Sequence, residues 1–128
     1  MIFFIKFDTH LNDIIIDMYL LHLINTLPEE LMKDIVIFPA SFYKRLCDIE
    51  RTKSEGVNIA GLTHSAQMHL GVKRWTRNMD VFEKKMLIFP ICHLMHWFMI
   101  VIISPEFLTG ACHQQETAVI ILDSLGSF

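Results

Sequence analysis

Charged residues are scarce in this sequence, and positive charge is not in excess. Charged side chains make up 20% of the 128 residues, whereas an ordinary domain has about 25%. The formal net charge is −3, so the chain lacks the basic surface that nucleic acids require. The length allows one domain at most, and nucleic acid is not predicted as a partner.

Cysteine is sparse as well. The three cysteines, Cys47, Cys92 and Cys112, are an odd number without a paired framework. Such a set does not build a disulfide scaffold and is typical of a reducing compartment. We therefore expect an intracellular protein.

Apolar residues are abundant, at 52%, yet no apolar run is long enough to cross a membrane. The longest run, residues 87–103, is interrupted by Pro90, His93 and His96. A spanning helix needs about 20 consecutive, mostly apolar residues, and the apolar start of the chain is too short for a signal peptide. No membrane partner is predicted.

Two apolar runs dominate the last third of the chain. Residues 96–103 and 117–123 are rich in Ile and Val, a composition that predicts β-strands. The connection between them is polar and contains proline and glycine, so it can turn the chain. If the strands pair antiparallel, the register that centres this connection sets Val101 opposite Ala118.

The same register sets His96 directly opposite Asp123. Opposed residues on one sheet face lie within side-chain reach, and an imidazole backed by a carboxylate is the base-and-orienter half of a catalytic triad. A slip of one residue would place the two side chains on opposite faces. We therefore predict His96 and Asp123 as candidate catalytic residues.

The remaining elements are predicted from apolar spacing and capping residues. Asn12 can cap the first helix, and this helix is so apolar that we expect it to be buried on most sides. The predicted elements, in order, are a strand at 2–7, a helix from 12 to about 25, a strand at 34–38, a helix at 39–48, a surface loop at 50–73, a short helix at 74–83, and strands near 87–91, 96–103 and 117–123.

Several sequence blocks together resemble a known family. They are Leu-Asn-Asp-Ile-Ile-Ile-Asp-Met-Tyr-Leu at 11–20, Phe-Pro-Ala-Ser-Phe-Tyr-Lys-Arg-Leu at 38–46, Arg-Trp-Thr-Arg at 74–77, Asp-Val-Phe-Glu-Lys at 80–84, His-Trp at 96–97 and Leu-Asp-Ser-Leu-Gly at 122–126. In this order they resemble the ubiquitin-like protease family, the sentrin- or SUMO-specific cysteine proteases. The block at 75–84 is most similar to the branch that trims poly-SUMO chains.

The resemblance implies a papain-like α+β fold, with residues 1–128 forming one partial catalytic domain. It implies a cysteine-type peptidase that cleaves after a Gly-Gly tail, with His96 as base and Asp123 as its orienter. Trp97 would line the tunnel for the tail, Asp13 would contact the modifier, and Asn12 and Trp75 are further candidate substrate-binding residues. The implied partner is SUMO or a related modifier, the implied location is the nucleus, and no cofactor is implied.

The family's nucleophile lies in an Asp-Cys-Gly block that follows Asp-Ser-Leu-Gly, and residues 1–128 contain no such block. The motif assigns that role to none of the three cysteines. We therefore expect these residues to be inactive by themselves, as a fragment, a truncated gene model or a decayed copy. A non-catalytic binder of ubiquitin-like modifiers is the alternative interpretation.

Plainer interpretations also stand. A histidine that begins an apolar strand is often a core residue, Asp123 suits the cap of a turn, and Asp13 is by default a solvated helix residue. Zinc ligand types also occur, at Cys92, His93, His96, Cys112 and His113. Their spacing is not that of a zinc finger, so no metal site is predicted.

Overall fold

The computed structural model describes residues 12–110 and 115–126. The predicted strand at 2–7 and the residue Cys112 lie outside this part. The helices and strands, in chain order, are α1 (Asp13–Thr26), α2 (Glu29–Met32), β1 (Ile35–Ile37), α3 (Ser41–Cys47), α4 (Ile49–Ser54), α5 (His64–Thr76), β2 (Met86–His93), β3 (His96–Ile103) and β4 (Ala118–Leu122). Short 3-10 helices span Val81–Glu83 and Pro105–Thr109.

The strands form one sheet in the order β1-β2-β3-β4. Strands β2, β3 and β4 pair antiparallel, as predicted, but β1 pairs parallel with β2. The sheet is therefore mixed rather than wholly antiparallel, because the helices between β1 and β2 return the chain in the same direction. The α+β class is confirmed, and β3 lies inside the sheet as its apolar faces predicted.

The predicted register between β3 and β4 was wrong by two residues. Val101 pairs with Ile120 rather than with Ala118. β4 begins at Ala118, one residue later than predicted, and Ala118 pairs with Ile103. The Thr117 hydroxyl, in the connection, donates a 2.8 Å hydrogen bond to the Ser104 carbonyl. A shift of two residues preserves the face on which each side chain lies, so His96 and Asp123 remain on one face.

The core lies on the sheet face that carries His96. Buried side chains from the sheet and from α3 and α5 form it, namely Phe38, Phe42, Val72 and Leu87. The Phe38 ring stacks on Phe89 at a centroid distance of 4.5 Å and tilts against Phe42 at 4.4 Å. These aromatic contacts hold α3 against β2, the strand that pairs with the His96 strand.

The predicted surface loop at 50–73 was wrong, because two helices occupy most of it. The Asp48 side chain caps α4 by accepting from the Arg51 N–H, and Thr63 caps α5 in the same way at Ala66. Both helices are polar, and Gly71 lies inside α5, so intrinsic propensity favoured a loop. α5 packs against α3, and α4 packs against α5. Gly71 permits the close approach of α5 to α3, since a Cβ at this position would lie 3.1 Å from the Arg45 carbonyl oxygen.

Helix α1 begins as predicted, with the Asn12 side chain accepting from the Ile15 N–H at 3.0 Å. Its predicted burial was wrong, since no residue of α1 is buried. Tyr19 and Leu21 are 61% and 58% exposed. The helix packs on the sheet with one side only. Apolar composition by itself does not predict which sides of a helix are buried by other elements. Within residues 12–110 and 115–126, no helix is long and apolar enough to span a membrane.

Candidate functional site

His96 and Asp123 come together at one end of the sheet. His96 is the first residue of β3, and Asp123 directly follows β4. The two-residue change in register makes their contact diagonal rather than directly across. His96 Nε2 and Asp123 Oδ1 nevertheless lie 2.6 Å apart. The predicted proximity of these two side chains is confirmed.

The Asp123 carboxylate is held from two sides. Its Oδ1 atom accepts the Leu125 backbone N–H at 2.9 Å as well as the His96 contact. The Leu125 hydrogen bond first, and the His96 hydrogen bond second, hold the pKa of Asp123 below its ordinary value. Because both bonds favour the charged form, Asp123 is a carboxylate at neutral pH and can only accept from the imidazole.

This acceptor fixes the tautomer of neutral His96. Nε2 must carry the proton that it donates to Asp123, so Nδ1 is the ring nitrogen left to accept a proton. The Asp123 side chain is 7% exposed, whereas that of His96 is 31% exposed. The arrangement therefore has a shielded orienting carboxylate and a base that an approaching group can reach.

Asp13 and Trp75, which were predicted separately, lie on one surface. They line a cavity of about 350 Å³ together with Ser41, Lys44 and other residues. The Trp75 ring packs edge-on against Phe42, with centroids 5.6 Å apart. Trp75 is thus anchored to the core and still presents 38% of its surface.

The same surface extends towards His96. Asp13 also lines a second cavity, of about 500 Å³, whose wall includes Cys92 and His93. His93 is paired directly with His96 across the β2–β3 ladder. The structure therefore connects Trp75, through Asp13, to the strand pair that carries the candidate base.

Asn12 and Trp97 lie elsewhere. The Asn12 side chain caps α1, so its contact in the described structure is within the chain. Trp97 follows His96 on a strand, which places it on the opposite sheet face. There it lines an apolar groove of about 360 Å³ between α1 and the sheet, with Tyr19 and Leu122 among its neighbours.

Comparison with known proteins identifies the family. Residues 9–128 match the Ulp1 protease family, C-terminal catalytic domain. The chain belongs to this family. It is 42% identical over 96 residues to Sentrin-specific protease 6 of Mus musculus, covering 74% of this chain and 8% of that protein. It is 35% identical over 96 residues to Sentrin-specific protease 7 of Homo sapiens, covering 74% of this chain and 9% of that protein.

The fold is that of a Ulp1-type enzyme. A solved structure described as the crystal structure of the de-sumoylating protease superposes with a TM-score of 0.60 at 20% identity, over 88% of this chain and 38% of that one. The predicted family and fold class are therefore confirmed. The chain spans about a tenth of the length of the curated relatives that it matches.

Two of the cysteines of this Ulp1-family chain are described, and both are free and exposed. Cys92 pairs with Trp97 across the ladder, so it lies on the sheet face opposite to His96. Cys47 ends α3 and shares the cavity that contains Cys92. No group of three or more metal-ligating residues occurs in the described part of the chain, and Cys112 and His113 lie outside it.

One positioning residue was not predicted. Asp17, which the sequence presents as part of a polar helix edge, accepts the Ala40 backbone N–H at 2.7 Å. It thereby ties α1 to the start of α3 and keeps Asp13 beside the cavity that Trp75 lines. Asp17 lies one helical turn after Asp13, and this spacing was the one sequence feature that pointed to it. No feature of the sequence indicated its hydrogen-bond partner Ala40, which is 23 residues away.

Proposed function

We propose that residues 1–128 form the base-carrying part of a cysteine-type peptidase that acts on SUMO or a related ubiquitin-like modifier. The observation that supports this most strongly is the 2.6 Å contact between His96 and Asp123 in a Ulp1-family chain. The modifier class is proposed from the relatives, whose names describe sentrin-specific and de-sumoylating proteases.

In this proposal the residues divide the chemistry as cysteine proteases require. His96 takes a proton from a cysteine thiol at Nδ1 and later returns it to the leaving amine, while Asp123 holds the ring and balances its charge. The attacking thiolate and the oxyanion donors are proposed to come from the Asp-Cys-Gly block of the family and its surroundings, and not from Cys47, Cys92 or Cys112. Cys92 in particular lies on the sheet face opposite to His96. We therefore expect that residues 1–128 by themselves do not cleave.

Recognition of the modifier is proposed at the surface that connects Trp75 to His93. Asp13 supplies a carboxylate for a basic residue of the modifier, and Trp75 supplies apolar area, with Asn12 next to Asp13. Trp97 is proposed to contact the modifier tail, on the groove side of the sheet. A nuclear location is proposed on family grounds, and neither nucleic acid nor a membrane is part of the proposed function.

The decisive experiment compares residues 1–128 with a completed enzyme. The unaltered chain is incubated with a SUMO fusion and with a SUMO vinyl-sulfone probe, and neither cleavage nor labelling is expected. A family C-terminal half with its Asp-Cys-Gly block is then added, in the same chain or as a second fragment. Cleavage should appear, and His96→Ala should abolish it because alanine has no ring nitrogen to accept the thiol proton.

His64→Ala is the matched control, since His64 is an exposed histidine at the start of α5 and lines none of the cavities described above. It should retain most of the cleavage. Labelling of the unaltered chain at Cys47, Cys92 or Cys112 would show that the nucleophile is already present. A completed chain that folds and remains inert would overturn the peptidase proposal.

The second candidate function is non-catalytic modifier binding, which the shared Asp13–Trp75 surface favours. Residues 1–128 should then bind SUMO weakly, and Asp13→Lys should weaken binding because it reverses an exposed charge. Isothermal titration at two salt concentrations measures this, with Glu116→Lys as a charge-matched control outside this surface. Equal affinity of the unaltered and Asp13→Lys chains would remove Asp13 from the proposed site.

A further inference from the structure

A cavity of about 680 Å³ lies between α5 and the segment that follows α4, and the proposed catalytic chemistry does not use it. Its lining residues are mainly cationic and apolar, namely Arg45, Glu55, Val57, Leu70, Gly71, Lys73, Arg74 and Arg77. Four of these side chains are cations, whereas Glu55 is the one anion among them. A strongly positive cavity in a chain with a net charge of −3 calls for an explanation.

Helix α5 and its C-cap residue Arg77 supply three of the cations from a single face. Lys73, Arg74 and Arg77 lie three, four and seven residues after Leu70, so they share one side of the helix with it, and all three are exposed. Like charges at such spacing disfavour the helix. In the described part of the chain, no carboxylate forms an ion pair with any of the three.

Arg45 and Glu55, which line the cavity, are already engaged in hydrogen bonds within the chain. The Arg45 guanidinium donates to the Thr52 hydroxyl at 3.0 Å and to Glu55 at 2.8 Å, and its side chain is 10% exposed. Glu55 also accepts from Arg51 at 3.1 Å. This carboxylate therefore does not neutralise the cations of α5, and the positive charge of the cavity remains available.

The end of α5 accounts for part of this charge, because cations are favoured near a helix C-terminus. That effect acts on every side of the helix. It does not require the cations to share one face, nor to face Val57 across a cavity. The combination of unpaired cations with an apolar wall is instead typical of a binding surface for a ligand that has both anionic and apolar groups.

We propose that this cavity binds a short acidic peptide segment of a partner protein. The carboxylates of the segment pair with Lys73, Arg74 and Arg77, and an apolar side chain covers Val57 and Leu70. A peptide is favoured over nucleic acid because the net negative charge of the chain repels a long polyanion, whereas a short segment contacts the local positive surface. This inference does not rest on the proposed peptidase function.

The test is a fluorescence-anisotropy titration of residues 1–128 with a labelled peptide of alternating acidic and leucine residues. The double variant Lys73→Gln/Arg77→Gln should bind about tenfold more weakly, because two of the pairing charges are lost. Arg74 is left intact because it also lines the cavity of Asp13 and Trp75. Lys33→Gln, which removes an exposed lysine outside the lining, should bind like the unaltered chain.

Circular dichroism verifies that each variant is folded, and Lys73→Arg/Arg77→Lys, which conserves both charges, should retain the affinity. Affinity of the unaltered chain should also fall as salt is added. Equal binding of a matched Asn/Gln peptide, unchanged affinity in the double Gln variant, or affinity that ignores salt would each overturn the inference. Tighter binding of a single-stranded DNA oligonucleotide that is lost in the same variant would overturn it in favour of nucleic acid.

Discussion

At the scale of single residues, Asp123 determines what His96 can do. One carboxylate oxygen accepts both the imidazole and the Leu125 backbone N–H, so the ring position is linked to the turn after β4. A neutral amide in place of the carboxylate could present its NH₂ group to the ring and select the other tautomer. The proton would then lie on Nδ1, the nitrogen that accepts the thiol proton in the proposed mechanism.

We therefore predict that Asp123→Asn lowers kcat of the completed enzyme by about 10²–10⁴-fold while the chain remains folded. Nitrogen NMR of residues 1–128 provides a second measurement, since the Nε2–H signal of His96 should be strong in the unaltered chain and weak in the variant. Glu116→Gln, an exposed change on the same connection, should alter neither. An unchanged tautomer in Asp123→Asn would contradict the orienting role.

The pH dependence of this contact follows from the lowered pKa of Asp123. A carboxyl group whose pKa is lowered by folding stabilises the fold above its ordinary pKa of 3.8, and this stabilisation is lost as the pH falls through the lower, folded pKa. The Asp123 carboxylate should therefore keep its contribution unchanged throughout the neutral range. Any loss of activity between pH 5 and 8 belongs to another group.

At the scale of elements, the β2–β3 hairpin that presents His96 has an unfavourable turn. Its two central residues, Leu94 and Met95, have positive φ angles of 48° and 63°, a conformation that favours Asn and Gly in two-residue hairpins. Both side chains are also exposed, at 87% and 66%. Neither the conformation nor the exposure favours these residue types.

We predict that the double substitution Leu94→Asn/Met95→Gly raises the free energy of unfolding by about 1–2 kcal/mol. Urea denaturation measures this change. The control is Leu94→Ala/Met95→Ala, which removes the exposed apolar area without relieving the backbone and should give no gain. An equal gain from both pairs would show that exposure, and not backbone conformation, is the source of the effect.

At the scale of the whole molecule, two apolar elements are uncovered in the described structure. β4 forms an edge of the sheet, and all five of its residues are exposed. Helix α1 exposes Tyr19 and Leu21. An exposed apolar edge strand offers unpaired backbone groups as well as apolar area, a combination that promotes association of chains.

We predict that residues 1–128 self-associate in a concentration-dependent manner, as sedimentation velocity would detect. Ile120→Lys should shift the chain towards the monomer, because a charge on an edge strand opposes strand pairing. Gln115→Lys adds the same charge outside β4 and should have a much smaller effect. A monomer at all concentrations would contradict the role assigned to the exposed strand, whereas added C-terminal segments that restore solubility would agree with it.

The sequence by itself determined the elements whose signals are local. The strands follow from runs of β-branched residues, and the start of α1 follows from Asn12, because these signals need only neighbouring residues. The placement of His96 and Asp123 on one face was also predictable. Side chains of a strand alternate between the two faces with a period of two. A register error of two residues therefore left both side chains on the predicted face.

Tertiary structure decided what depends on partners distant in the chain. The register depends on where β4 joins the ladder, with Ala118 paired to Ile103. The helices α4 and α5 form despite weak local propensity because α5 packs against α3 and α4 packs against α5. The exposure of α1 and the shared surface of Asp13 and Trp75 depend on which elements meet, as through the contact between Asp17 and Ala40. Such contacts are set by the free energy of the whole packing arrangement, and no local pattern specifies them.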